Sequence, residues 1–556
     1  MTVERVPEVP HLTVERVLIV NLTRFGDLLQ TSPTIAGLRE RHPGATITLL
    51  ADKNFADVCE GIPGIDRIHR VDLDHLGRLL LNGNEDTVIA YRYVEQLAEE
   101  LRAQRFDLAL NFSSSRMTAV FMGLLGIRNV RGWSVSVDGM RVIRHPWARL
   151  FATMCLNRNV AAFNLVDCYR GMADGIGGAR RLLYEVTPRA RTFAAESINR
   201  AGAESGERLI ALQLGASKPI RQWPTDSFAA LGRRLAAAGH RVVLIGGNGD
   251  RALAGEVAHR IGERAIDLCG KTRIPELGAV LERADLLVTG DTGPMHMAAA
   301  VGTPIVALFF GPALPFDTGP YGADHLCLHA AVACAPCDHN VSCLDPFCRV
   351  EIGPDLVAAA VEARLALDWA ALERLAQGGG STRLYRTAFD RHGLFEVHAL
   401  GDRPPTSADH LRRGYRATFL HELCGYELPA ARPTPIDAGA FAELVARAAA
   451  GQTLAQRLAN EAAGKAPEIE RLKRLGDELE VLDGTIFELG STRPEAAVLT
   501  QMFKLGKENL EGADVAALAV KTRALYGALE RGARSMRALL SGVREGEVVQ
   551  DARLHQ

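Results

Sequence analysis

The sequence predicts an α/β protein built from two parallel-sheet units and a mainly helical region. Three observations carry that expectation. Short β-branched runs alternate with helical segments over about 16–185 and again over about 207–368. The pattern weakens between about 185 and 207, in a polar stretch rich in Arg, Glu and Ala. Beyond about 369 the apolar spacing changes to threes and fours, the period of helices rather than strands.

Each element follows in order. Residues 1–15 read as an extended arm, and Val17–Val20 (VLIV) as a buried parallel strand. The loop NLTRFGD and a helix over Leu28–Leu38 come next, then strand Ile47–Leu50, a long helix near 86–104 and strand Asp107–Asn111. Residues 186–206 are expected to be a linker. The second unit supplies strands Leu209–Leu212, Val242–Ile245, Asp285–Val288 and Ile305–Phe309, with helices such as Phe228–Ala238 between them. Alternating strands and helices imply parallel sheets, whose carboxyl ends form a ligand cleft. Residues 369–436 are expected to be a linker (QGGGSTR) and an irregular connection, and 437–556 a helical domain. There Ile469, Leu472, Leu475, Leu479 and Leu482 fall on one face, as do Val515, Leu518, Thr522, Leu525 and Leu529. That pattern suits a bundle around its own core, with a dimerising coiled coil as the alternative.

Composition narrows the function. A chain of 556 residues with 47% hydrophobic and 23% charged residues has the make-up of a soluble protein of about three domains. Its net charge of −2 and 6% aromatic content argue against a nucleic-acid partner. No apolar run reaches the roughly 18 residues of a membrane helix. The start lacks the basic-then-apolar order of a signal peptide, so a cytoplasmic location with reduced thiols is expected.

Three loops carry chemistry. In Asn21–Asp27, after the first strand, Gly26 permits a tight turn, and Asp27 reads either as a helix cap or as a general base aimed into the cleft. In Gly290-Asp-Thr-Gly-Pro-Met-His296, a helix begins where unpaired N–H groups and the helix dipole suit a phosphate. Asp291 and His296 there are structural on the plainer reading. In Gly215–Pro224, Ser217, Lys218 and Arg221 offer a hydroxyl and two cations to a diphosphate, or else form a solvated basic loop. Gly246-Gly-Asn-Gly-Asp250 follows a strand but lacks the spacing of a dinucleotide fingerprint.

VLIVNLTRFGDLLQTSPTIAGLRERHPGATITLL, LGASKPIRQWP and VTGDTGPMHMAAAVGTPIVALFFGP, in that order, resemble the signatures of glycosyltransferase family 9, the ADP-heptose lipopolysaccharide heptosyltransferases of bacteria. The resemblance spans roughly 16–368 and implies a GT-B fold, two Rossmann-like domains facing a cleft. It implies inverting, metal-independent transfer of heptose, or a related sugar, from a nucleotide sugar such as ADP-heptose. Asp27 matches the catalytic aspartate, and Arg221 a basic contact to the donor phosphates. Thr292 and Gly293, with Pro294 and Met295 at the helix start, match the diphosphate-binding turn. Asp291 and His296 match its polar neighbours, and Asp250 an acidic contact to the nucleoside.

The acceptor is expected to be a glycan, a lipid-linked glycan, the lipopolysaccharide core or a protein. Arg116, Arg128 and Arg131 are candidate acceptor contacts, with peripheral attachment to the inner membrane face consistent with such a role. Cys334, Cys337, Cys343 and Cys348, with His339 between, have a spacing that suits a structural metal or a set of free thiols. The helical region offers acceptor binding, oligomerisation or a partner surface. A catalytically inactive nucleotide-sugar-binding scaffold is the competing function. A nicotinamide oxidoreductase is disfavoured, because no GxGxxG follows the first strand.

Overall fold

The computed structural model describes residues 14–541 apart from 83, 177, 203–205, 339–340 and 379; the predicted arm therefore lies outside the described residues up to 13. The chain forms two compact units, Met1–Arg131 with Phe163–Arg403, and Gly132–Ala162 with Pro404–Gln556.

The first unit opens with β1 (Arg16–Val20), β2 (Thr46–Asp52), β3 (Arg67–Val71) and β4 (Leu108–Asn111), running parallel in the order β3-β2-β1-β4. Val17, Leu18, Ile19 and Val20 are all buried, because the central strand is covered on both faces. The predicted helix over 28–38 is two helices, Phe25–Leu29 and Ser32–Arg41. Pro33 lacks an N–H and its ring would collide with the Leu29 carbonyl, so one continuous helix is barred. The hydroxyls of Thr31 and Ser32 instead donate to the Leu28 and Leu29 carbonyls, at 2.6 and 2.7 Å.

The chain crosses to the second unit inside β5 (Val130–Val135), continues through β6 (Arg141–Arg144) and returns at Phe163. The other sheet of the first unit has eight strands. These are β7 (Leu209–Gln213), β8 (Arg241–Ile245), β9 (Ala265–Asp267), β10 (Leu286–Gly290), β11 (Ile305–Phe309), β12 (Leu326–Ala330), β13 (Thr382–Phe389) and β14 (Phe395–Ala399). Their order is β14-β13-β12-β11-β10-β7-β8-β9. Strands β7 to β12 are parallel, whereas β13 and β14 add as an antiparallel edge.

Two expected connections are ordered structure. Within 186–206 lies the helix Pro188–Arg200, capped by Thr187 and burying Ala190, Ala194 and Ile198. Arg191 grips Glu282 of the helix Ile274–Arg283 through two bonds of 2.7 and 2.8 Å. Within 369–436, the helix Trp369–Gln377 is followed by β13 and β14, then by Ser407–Cys424 in the second unit. In β13 Arg383 and Arg386 break the run of buried residues at a three-residue spacing, which hides its strand period, while Arg386 lies 4.1 Å over the Trp369 ring.

The two halves of the first unit are joined by a buried polar knot. Tyr321 donates its hydroxyl to Asp167 at 2.7 Å, and the Phe395 N–H donates to the same carboxylate at 2.9 Å. Arg170 pairs with Asp167 at 3.2 Å and donates to the Gly393 carbonyl at 3.0 Å. Both members of that ion pair are fully buried, so each requires the partners it has.

In the second unit β5 and β6 pair as an antiparallel hairpin. Arg144 on β6 forms a forked pair with Glu511 at 2.6 and 3.0 Å. The helices are Pro146–Leu156, Ser407–Cys424, Gly439–Ala462, Ile469–Thr492, Ala497–Glu508 and Val515–Ser541. The expected helical periodicity places Leu475, Leu479, Thr522 and Leu529 inside, while Ile469 and Val515, at the helix starts, are exposed. Gly451 sits mid-helix because a Cβ there would fall 2.2 Å from the Tyr526 ring. Among the described residues no helix is long and apolar enough to cross a membrane.

Candidate active site

The site is built by two loops from the two sheets of the first unit. One follows β1. Arg24 precedes the short helix Phe25–Leu29, and Asp27 sits in its first turn. Asn21, buried at the end of β1, donates its amide to the Asp27 carbonyl at 3.1 Å and so fixes the turn. The other loop follows β10. Thr292 is extended and caps the nine-residue helix Gly293–Val301, with Pro294 in its first turn. The Thr289 and Thr292 hydroxyls lie 3.0 Å apart, which orients the start of that helix.

The loops meet through glycine. A Cβ on Gly26 would lie 2.9 Å from the His296 ring and 3.0 Å from the Gly293 Cα. A Cβ on Gly293 would lie 2.3 Å from the Phe25 ring. Neither position admits a side chain without moving the opposite loop, so these glycines set the approach of acid to helix start.

Around this contact opens a cavity of about 550 Å³, within the range of small-molecule sites. It is lined by Asp27, Ser217, Arg221, Asp250, Asp291, Thr292, Gly293, Pro294 and His296, which gathers nine of the sequence-predicted residues into one space. Lys218 lines an adjoining recess shared with Asp27, Ser217 and Arg221. Met295 is buried in the helix and does not line the cavity.

Burial raises the Asp27 carboxyl above its ordinary range and the Asp291 carboxylate adds to the rise, against the hydrogen bonds of the Thr23 side chain and the Arg24 backbone. Arg221 is held by Asp291, donating to its carboxylate at 2.7 Å and to its backbone carbonyl at 2.5 Å. The guanidinium is thereby fixed at the mouth of the helix start. Burial lowers His296 to about 4, so its ring is neutral at physiological pH. Elsewhere in the lining Asp250 accepts from the Gly247 N–H at 2.8 Å, and Gly215 is required because a Cβ would fall 2.1 Å from the Asp250 carboxylate.

Sequence reasoning missed several lining residues. Gln30 is 1% exposed and lies within 2.9 Å of a His296 ring nitrogen. Gln213, at the end of β7, donates to the Gly215 carbonyl at 3.1 Å. Phe25, Arg273 and Ile274 complete the wall. Gln213 directly precedes LGASKP, a position that its strand end makes available; nothing in the sequence alone marks Gln30.

The candidate acceptor arginines separate. Arg116 borders a second, almost wholly apolar cavity of about 430 Å³, which includes Leu22 of the β1 loop and Leu97, Val120 and Phe121. Arg131 pairs with Asp174 at 2.5 Å and donates to the Met172 carbonyl at 2.8 Å, which ties it to a helix end. Arg128 is exposed and lines none of the cavities described here. Cys334 and Cys343 are exposed, Cys337 half-buried and Cys348 buried, all as free thiols, while His339 lies outside the described residues. Among the described residues no three His, Cys, Asp or Glu side chains are grouped to hold a metal ion.

This geometry sets a carboxylate on one sheet close to a helix start on the other. The model of glycosyltransferase family 9 (heptosyltransferase) matches residues 94–347. The chain is 26% identical over 291 residues to lipopolysaccharide heptosyltransferase 3 of Escherichia coli, spanning 51% of this chain and 80% of that protein. It is 24% identical over 374 residues to lipopolysaccharide heptosyltransferase 1 of Pseudomonas aeruginosa, spanning 63% and 98%. A family 9 glycosyltransferase from Veillonella parvula superposes with a TM-score of 0.51 at 23% identity, over 64% of this chain and 99% of that one. The fold is GT-B with an added helical region, and over residues 94–347 the chain is similar to glycosyltransferase family 9 (heptosyltransferase).

Proposed function

We propose that the protein transfers heptose from ADP-heptose to a hydroxyl of a glycan acceptor, with inversion and with Asp27 as the general base. One observation carries the reading: Asp27 and the Thr292–Gly293 helix start line the same cavity, brought together at Gly26 and Gly293. The donor diphosphate is assigned to that helix start, where N–H groups lack helical partners, with Ser217, Lys218 and Arg221 adding a hydroxyl and positive charge. Asp250 and Gly246–Gly247 are assigned to the nucleoside end.

In the proposed step the acceptor oxygen attacks the anomeric carbon and its proton passes to Asp27. The bond to the diphosphate breaks on the opposite face, and the anion leaves onto the helix start and Arg221. The acceptor is assigned to the β1 side, with Arg116 and the apolar wall near Leu22 as its flank. All of these groups are amino-acid side chains or backbone, and the proposal includes no metal.

The test is transfer from ADP-heptose by the full-length chain. Asp27→Asn is expected to lower turnover by at least about 10²-fold while ADP affinity stays within about twofold. Near-normal turnover by that variant would remove the base assignment. Turnover unchanged in EDTA is expected, and its loss, restored by a divalent ion, would contradict metal independence. An inactive sugar-nucleotide-binding scaffold would bind ADP-heptose and transfer nothing to any acceptor.

A further inference from the structure

Gln30 lies three residues beyond Asp27, at the end of the short helix, and is 1% exposed. It lines the cavity shared by Asp27, Asp291 and His296. Its amide nitrogen is committed across the cleft, 2.9 Å from His296 Nε2 and 3.1 Å from Nδ1. Its carbonyl oxygen, equally buried, accepts no hydrogen bond among the described residues. A buried amide oxygen left in that state is costly, and such groups in native proteins usually have a partner.

The surroundings narrow what that partner is. Asp27, Asp250 and Asp291 contribute carboxylates, which accept when ionised and cannot serve a second acceptor. Arg221 spends its Nη2 on Asp291, while its buried Nε has no acceptor among the described residues. A diphosphate would bring only acceptor oxygens. No described side chain donates to the Gln30 oxygen, and a hydroxyl carried in by the ligand would supply that donor. Gln30 bonds His296, beside the contact of the Asp27 loop with the helix start at Gly293, whereas the nucleoside is assigned to Gly246–Gly247 and Asp250 on the loop after β8. Gln213 repeats the pattern from the other sheet: its amide nitrogen is spent on the Gly215 carbonyl, and its carbonyl oxygen also lacks a partner among the described residues. Two neutral acceptor oxygens in one cavity suit a ligand with several hydroxyls.

We propose that Gln30 is a specificity-determining residue of the donor site, its carbonyl oxygen accepting a hydroxyl of the transferred sugar. The half of the protein that supplies the base then also reads the sugar held by the other half, while the Gln30–His296 bond keeps the amide aimed. This assignment rests on the sugar-nucleotide reading above and adds the residue that recognises the sugar.

The experiment compares ADP with ADP-heptose on the full-length chain, by calorimetric binding and by donor kinetics. Gln30→Leu and Gln30→Met remove the carbonyl while keeping the volume. Expected for both is an ADP affinity within about twofold of wild type, ADP-heptose binding weaker by about 10- to 100-fold, and a matching fall in donor kcat/KM. Preference for ADP-heptose over ADP-glucose is expected to shrink in both variants. Equal binding of ADP-heptose by wild type and variants overturns the assignment alone. Equal weakening of ADP and ADP-heptose assigns Gln30 a purely structural role and also overturns it. Wild type that binds ADP but no ADP-sugar defeats the donor reading, and this assignment with it.

Discussion

At the scale of single residues the site is governed by burial. The raised Asp27 carboxyl favours its protonated form in the folded chain. Between its ordinary pKa and the raised value the folded state holds more protons than the unfolded, so stability falls as pH rises through that window. Above it, the ionised Asp27 is a standing cost. Asp27→Asn is thus expected to raise Tm at pH 7 and to have little effect near pH 3, as thermal unfolding at the two values would show. With Asp27 in the proposed role of base, the same shift is expected to set the acid limb of activity. Turnover that needs the Asp27 carboxylate is expected to rise with pH around a midpoint above 3.8, the ordinary carboxyl value. His296, lowered to about 4, is expected to add no inflection between pH 6 and 8, which a kcat/KM profile would reveal. Gly293→Ala places a methyl against the Phe25 ring and is expected to weaken ADP binding by about tenfold or more, since overpacking costs about 1–3 kcal/mol. A second change, Phe25→Leu, makes room and is expected to recover part of that loss.

Among elements, the knot of Asp167, Arg170 and Tyr321 is the best test of how the two halves of the first unit are held. Tyr321→Phe leaves Asp167 short of one donor, and a loss of about 1–3 kcal/mol is expected in denaturant unfolding. Asp167→Asn strips the charge opposite a buried guanidinium and is expected to cost about 3–5 kcal/mol. The elements also show what a reader of the sequence can and cannot see. Strands β1, β7, β10 and β11 were legible because burial on both faces leaves a continuous apolar run. The pair β13–β14 was not, because an edge carrying Arg383, Arg386 and His398 lacks that run and looks irregular. The helix Pro188–Arg200 looks like linker in the sequence because its buried face is only Ala190, Ala194 and Ile198, with no leucine. In the site, the motif residues were legible since glycine and proline mark turns that need them. Gln30 was not, since its role arises from a histidine 266 positions away, a proximity that only folding creates.

For the whole molecule, the second unit is discontinuous in sequence. Trp147, Leu150 and Met154 are buried on the helix Pro146–Leu156, and Thr153 lies 3.7 Å from the sulfur of Met502. A chain ending at Arg403 keeps that segment but loses the helices that cover it. Such a truncation is expected to give a lower soluble yield than the full chain, measured by the fraction remaining after centrifugation. The boundary predicted at 369 would cut deeper still, since it removes β13 and β14 from the edge of their sheet.

The division of that unit has a consequence for biosynthesis. On a ribosome, Gly132–Ala162 emerges first, and 241 residues of the other unit follow before Pro404 appears. At about 5–20 residues per second that is a wait of roughly 10–50 s. Throughout it, an aromatic and aliphatic surface that the finished molecule conceals stays bare beside the nascent chain, a natural foothold for a chaperone.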